Sequence, residues 1–245
     1  MLTPLTPLTP LKPLEPDLQP GRQAKTTKRP CVLLTGFEAF GASRAESPQL
    51  NPSWLAIAPL HGDLIAGHQL VSARLPCAFG ASLQQLGELL ELHHPALVIA
   101  VGQAGGRHSL SLERVAINVD DASQPDNAGF QPIDQPVLPE GPAAYFSSLP
   151  IKAMLRDLRQ AGFKAEVSQS AGTYVCNHVF YGLMHALATQ PALAGSRGGF
   201  VHVPYLPEQG EPSLALADTT AALRMLVASA LATSADVALT GGALS

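Results

Sequence analysis

The chain has 245 residues, 46% of them apolar and only 14% charged, with a formal net charge of −4. That size and composition suit one sizeable core in one domain, and the weak negative charge gives no electrostatic reason to expect nucleic acid or an anionic membrane as a partner. The cysteines at 31, 77 and 176 lack the close spacing of a disulfide framework or a zinc knuckle, and no apolar run is long enough to span a bilayer.

Residues 2–10 read Leu-Thr-Pro three times over, and prolines continue through Pro13, Pro16, Pro20 and Pro30. Such a run lacks backbone donors and core-forming residues, so residues 1–29 are expected to be a disordered leader with a small basic linker, Arg22 to Arg29. It has neither the basic start nor the continuous apolar segment of a secretory signal. From Cys31 onward strands and helices alternate. Strands are expected at 31–35, 69–75, 97–101, 113–119, 165–170 and 200–203, and helices at 82–92, 151–160, 176–188 and 219–232. This order argues an α/β fold with a central sheet covered by helices on both faces. The Pro-rich connection 124–142 is long for a compact domain, which suggests a functional or contact role. The folded domain is placed at 30–233, and 234–245 is expected to be a flexible tail.

Three segments carry the chemistry. Cys176 follows the small-residue run Ser168-Gln-Ser-Ala-Gly and opens a helical pattern continued by Val179, Phe180, Leu183 and Leu187. A sulfur near a helix's positive end favours its thiolate, although a buried cysteine that merely opens an apolar stripe has the same pattern. In the alternation Glu113, Val115, Ile117, Val119, Glu113 starts an apolar register where an unpaired carboxylate is costly, so an imidazolium partner is reasonable. A strand-end glutamate facing water is the alternative. His202 lies late in a short apolar strand ended by Pro204, at the edge where open α/β sheets place their sites; a satisfied core histidine is the other reading. The rival histidines are weaker. His178 points around the helix from Cys176, His185 is two turns down, and His93 and His94 read as surface caps before Pro95. Gly102, Gly105 and Gly106 follow a strand but open no helix, which rules out a dinucleotide loop. Asp120 and Asp121 point apart on extended backbone, and no close cluster suggests a metal.

Together these segments resemble the pyroglutamyl peptidase I, or pyrrolidone-carboxylate peptidase, family of cysteine peptidases. The resemblance runs from about Cys31 to the helix ending near Ala232. It includes Leu34-Thr-Gly-Phe-Glu-Ala-Phe40, Asn51-Pro-Ser-Trp54, Arg74-Leu-Pro-Cys77, Gly102-Gln-Ala-Gly-Gly106, Gly141-Pro-Ala-Ala-Tyr-Phe146 and Leu149-Pro-Ile-Lys-Ala-Met154. By resemblance, Cys176 is the nucleophile, His202 the base and Glu113 the orienting third member. The resemblance also implies a three-layer α/β/α sandwich with a central twisted mixed sheet, N-terminally blocked peptides as substrates, a homotetramer and no metal or organic cofactor. A cytoplasmic setting would keep the thiol reduced. Phe37 and Phe40 would lie at the lactam ring, with Asn51 and Gln103 as nearby polar groups, although the two phenylalanines also fit as core aromatics after the first strand.

The chain departs from the family at one point. Where the family commonly reads Asp-Asp-Ala-Arg-Ile-Pro-Asp-Asn, this chain has Ser123 and Gln124 in place of the Arg-Ile pair. That removes a cation from beside the active centre and an apolar wall from the pocket, unless Arg107 or Arg114 supplies the charge. A weakened relative acting as a binding protein, or a thiol hydrolase of another blocked amide, are the two rival readings.

Overall fold

The run Cys31–Phe37 has no polar face, and in the computed structural model, which describes residues 29–41 and 50–242, all seven of its residues are buried. A strand apolar on both sides belongs inside a sheet covered twice. This strand, β1, is third in a seven-stranded sheet. Its order is β2 (Leu64–Ile65), β3 (His68–Leu75), β1, β4 (Leu97–Gln103), β9 (Arg197–Val203), β5 (Leu110–Glu113) and β8 (Ala165–Ser168). Strands β3, β1, β4 and β9 are parallel; β5 runs antiparallel to β9 and parallel to β8, and β2 antiparallel to β3. The sheet is therefore mixed. Strands β6 (Val115–Ile117) and β7 (Ala144–Phe146) pair apart from it.

Alternate strand residues divide into two cores. Val32, Leu34, Ile99, Val101, Val201 and Val203 pack against α1 (Pro52–Ile57), α3 (Ile151–Gln160) and α5 (Leu216–Ala232). On the other face, Leu33, Val98, Ala100 and Phe200 pack against α2 (Phe79–His93) and α4 (Val175–Thr189). The result is a three-layer α/β/α sandwich. His94 ends α2 as expected of a cap, in the left-handed region at φ 44°, with its N–H donating to Leu90 O at 2.9 Å.

The structure corrects the sequence reading in two places. The strand expected over 113–119 is two strands that break at Arg114, so Glu113 ends β5 in the main sheet rather than opening a register. Helix α1 is absent from the expectations, although Asn51 caps it (its side chain accepts Ser53 N–H at 3.0 Å) and proline holds its first position. The segment 234–242, expected as part of a flexible tail, makes contacts with α3. Asp236 Oδ1 accepts the N–H of Ala153 at 2.9 Å in the first turn of α3, and Lys152 Nζ donates to Leu239 O at 2.8 Å. The leader expectation for residues 1–28 lies outside the described residues.

Candidate active site

Strands β4 and β9 are parallel neighbours that end together, with Gly102 paired to His202. Alternation puts both on the face covered by α2 and α4, and the first turn of α4 brings Cys176 down onto this end of the sheet. A Cβ on Gly102 would stand 2.8 Å from Cys176 Sγ and 2.7 Å from the Phe200 ring, so only glycine leaves room for the sulfur.

Strand β5 lies on the other side of β9. Its antiparallel register sets Ser111 opposite His202, which makes Glu113 the diagonal neighbour on the same face, within reach of a long side chain. His202 Nδ1 lies 2.7 Å from Glu113 Oε1, with the two side chains 4% and 0% exposed. A carboxylate only accepts, so Nδ1 carries the proton and Nε2 is left with its lone pair. Arg107 Nη1 donates to the same Oε1 at 2.7 Å, and Nη2 donates to Ser170 O at 3.1 Å. Arg107 thus supplies a cation to the centre. Arg114 turns away, its Nη2 reaching Gly241 O at 3.5 Å.

The electrostatics differ from the helix-end expectation. Cys176 is half-buried as a residue, but its sulfur points inward against Gly102 and Phe200. Burial first, and the Glu113 charge second, push its thiol up to about 12, with Arg107 pulling the other way. A helix end offers only about 1 kcal/mol against this, so desolvation prevails. His202 is held below its ordinary 6.5, first by burial; the Glu113 hydrogen bond and charge oppose the shift, and the Arg107 charge adds to it. Both shifts favour the uncharged forms, a thiol on Cys176 and a neutral imidazole on His202.

The four expected pocket residues do not share one role. Phe37 is 2% exposed and packs on Phe200 with ring centroids 6.4 Å apart, as a core aromatic beneath the site. Phe40 faces Tyr174 at 6.0 Å, and Tyr174 meets Phe79 edge-on at 5.5 Å; this forms an aromatic wall just before the nucleophile. Asn51 is 1% exposed, and its carboxamide is spent on structure: it accepts from Ser53 and donates to Glu38 O at 2.9 Å. Gln103 Oε1 accepts from Gln209 Nε2 at 3.0 Å, and Gln209 Oε1 accepts Leu206 N–H. Gln103 is thus joined through Gln209 to the turn after β9. Ser123 and Gln124 are both exposed, and the Gln124 amide lies over Gly41.

Two features escaped the sequence reading. Tyr174 carries no motif of its own; its hydroxyl donates to Pro125 O at 3.1 Å, joining the wall to the long loop. His178, set aside as a rival base, is buried and bonded through Nδ1 to Asp120 Oδ2 at 2.7 Å. Only the register between α4 and the loop creates that pair, so no local signal announces it.

Comparison with known proteins places the chain among relatives of one family. The family model described as pyroglutamyl peptidase matches residues 30–234. A pyrrolidone-carboxylate peptidase of Cupriavidus taiwanensis is 59% identical over 220 residues, covering 88% of this chain and 99% of that relative. One from Escherichia fergusonii is 50% identical over 217 residues, 86% of this chain and 98% of the relative. The crystal structure of Bacillus amyloliquefaciens pyroglutamyl peptidase I superposes with a TM-score of 0.80 at 42% identity, covering 86% of this chain and all of that one (100%). A mutant pyrrolidone carboxyl peptidase of Pyrococcus furiosus gives 0.77 at 38% identity, over 82% and 98% of the two chains.

Proposed function

The chain belongs to the pyroglutamyl peptidase family, and we infer from that membership that it is a cysteine exopeptidase removing an N-terminal pyroglutamyl residue from peptides. Cys176 is the nucleophile, His202 the base and Glu113 the group that orients it. The observation that carries this reading is the 2.7 Å bond from His202 Nδ1 to a fully buried Glu113, on the strand whose Gly102 partner lies under the Cys176 sulfur.

The chemistry follows from the protonation states. Because the resting sulfur holds its proton, His202 Nε2 takes that proton as the S–C bond forms, and the carbonyl π pair moves onto oxygen. The N–H of Cys176 stands in the first turn of α4, where amides have no intrahelical acceptor, and is suited to receive that oxyanion. Glu113 stabilises the imidazolium, as the acidic member does in triads on unrelated folds. Collapse breaks the C–N bond, and the leaving amine takes the proton from Nε2. Water, deprotonated in turn by Nε2, attacks the thioester, and the C–S bond breaks to release pyroglutamate and restore the thiol.

A pyroglutamyl ring is an uncharged lactam, and the Phe40–Tyr174 wall suits its apolar edge. An ordinary amino terminus would bury an ammonium without a partner there, so blocked peptides are selected. All three cysteines are free thiols, which suits a reducing cytoplasm, and no helix among the described residues is long and apolar enough to cross a membrane. Exposed Ile133 and Phe146 favour association of copies, the tetramer of the family resemblance. The deciding experiment compares turnover of a pyroglutamyl amide with that of the corresponding glutaminyl amide. Equal rates, or cleavage of neither, would overturn the assignment.

A further inference from the structure

Residues 113–121 form one continuous run that touches both halves of the reacting pair. At its root Glu113 holds His202. Four residues on, it meets α4 on either side of Cys176. Asn177 is completely buried and uses its carboxamide as a peptide group: Oδ1 accepts Ile117 N–H at 3.0 Å, and Nδ2 donates to Ile117 O at 2.9 Å and Val119 O at 3.0 Å. His178 is bonded to Asp120. Thr173 and Asp121 exchange two bonds, Asp121 N–H to Thr173 O at 3.0 Å and Thr173 Oγ1 to Asp121 O at 2.7 Å.

The run needs these ties. Strand β6 pairs only with β7 and has no place in the main sheet; its tie to β9 is indirect, through Ser148 beyond β7 and Gly198 at the far end of β9 from His202. The orientation of the Asn177 amide is also unambiguous. A backbone N–H only donates and a backbone carbonyl only accepts, so each side-chain atom is assigned by its partner.

We infer that Asn177 is a positioning residue: by binding the first turn of α4 to the 113–121 run, it fixes the Cys176 sulfur against the His202–Glu113 pair. This inference rests on the reading of Cys176 as nucleophile and His202 as its base. No other side chain of that size offers an acceptor and two donors in one plane. Aspartate has the same shape but sets an anionic oxygen against two carbonyls, so the contact opens and the helix start shifts. Misplacement of a reacting group by about 1 Å costs on the order of 100-fold in rate.

The test has two readouts. One is steady-state hydrolysis of a pyroglutamyl amide; the other is the pH dependence of Cys176 alkylation by iodoacetamide, with the site read by mass spectrometry. Asn177→Asp is expected to lower kcat on the order of 100-fold while KM stays within about threefold. Its alkylation should lose the inflection due to His202 and follow an isolated thiol. Thr173→Val removes one tie at the half-exposed rim, where folding is not at risk. It should lower kcat several-fold at unchanged thermal stability, and Thr173→Ser should restore it. If Asn177→Asp does not fold, the Thr173 pair decides. Alkylation needs no substrate, so a wild-type protein that ignores pyroglutamyl amides but loses the His202 inflection in Asn177→Asp would sink the substrate assignment and keep this inference. Unchanged kcat and alkylation in folded Asn177→Asp, a loss of thermal stability alone, or equal behaviour of Thr173→Val and Thr173→Ser would overturn it.

Discussion

His202 Nδ1 and Glu113 Oε1 meet at 2.7 Å in a contact buried from bulk solvent, with Glu113 0% exposed. Bulk solvent is therefore a poor substitute for the carboxylate when the imidazole becomes charged. Glu113→Gln keeps the shape and one acceptor but removes the counter-charge. General acid–base assistance contributes roughly 100-fold or more, and kcat should fall by an amount of that order with KM little changed. The readout is steady-state kinetics on a pyroglutamyl amide. Near wild-type kcat in a folded variant would remove Glu113 from the mechanism.

The pH profile follows from the same two groups. His202 is held below 6.5 and must be neutral to accept the thiol proton, so activity should rise on an acid limb centred below that value. Cys176 is pushed up to about 12 and reacts from its protonated form, so no alkaline limb should arise from it near its ordinary 9.0. Stability follows with signs set by proton uptake. The unfolded chain protonates its histidine first, so the contribution of His202 is intact above 6.5 and is lost as pH falls below it. The unfolded chain loses its thiol proton first, so stability declines as pH climbs from 9.0 toward about 12. Cys176→Ala should flatten that alkaline decline and abolish turnover. A thermal midpoint in Cys176→Ala that falls with alkaline pH as steeply as in the wild type would contradict the buried thiol, although Cys77, also pushed up by burial, keeps part of the slope.

How far the sequence reached depends on which residues hold each element. Strands β1 and β4 were legible because apolar residues on both faces admit only a covered sheet. The break after Glu113 was not, because Glu113, Val115 and Ile117 keep a period of two while the chain leaves one sheet for another; the change lies in the partners, not in the pattern. Cys176, His202 and Glu113 were legible as chemistry that needs a partner. Phe37 and Phe40 looked equivalent in sequence, yet one is core and the other lines the aromatic wall, because β1 ends between them. Asn177, and the pairing of His178 with Asp120, depend on tertiary register alone, which no window along the chain contains.

The C-terminal segment tests a different part of the molecule. Asp236 caps α3, with Oδ1 accepting from Ala153 N–H and Oδ2 from Lys152 N–H at 3.0 Å. Loss of such a cap costs about 1 kcal/mol. Asp236→Ala should therefore lower Tm by roughly 2–4 °C in a chain of this size and leave kcat unchanged, since the contact is remote from Cys176. An unchanged Tm in thermal denaturation would mean that residues 234–242 are a loose tail after all.

The last expectation concerns the residues that depart from the family pattern. Ser123 stands where the family commonly has arginine, and its surroundings are solvent. The active centre already holds a cation: Arg107, 27% exposed, bonds the same Glu113 oxygen that His202 uses, and its charge pulls the Cys176 thiol down. A charge in solvent is screened, whereas one bonded to a buried carboxylate is not. Arg107→Ala should lower kcat/KM by roughly 10-fold or more, because charge-assisted hydrogen bonds to buried groups are worth about 1.5–3 kcal/mol, and it should move the acid limb upward by removing a charge that depresses the His202 pKa. Ser123→Arg should change kcat/KM by less than about threefold, as surface charges do. A large gain from Ser123→Arg, with little loss from Arg107→Ala, would show that the centre lacks a cation and that the departure weakens this enzyme.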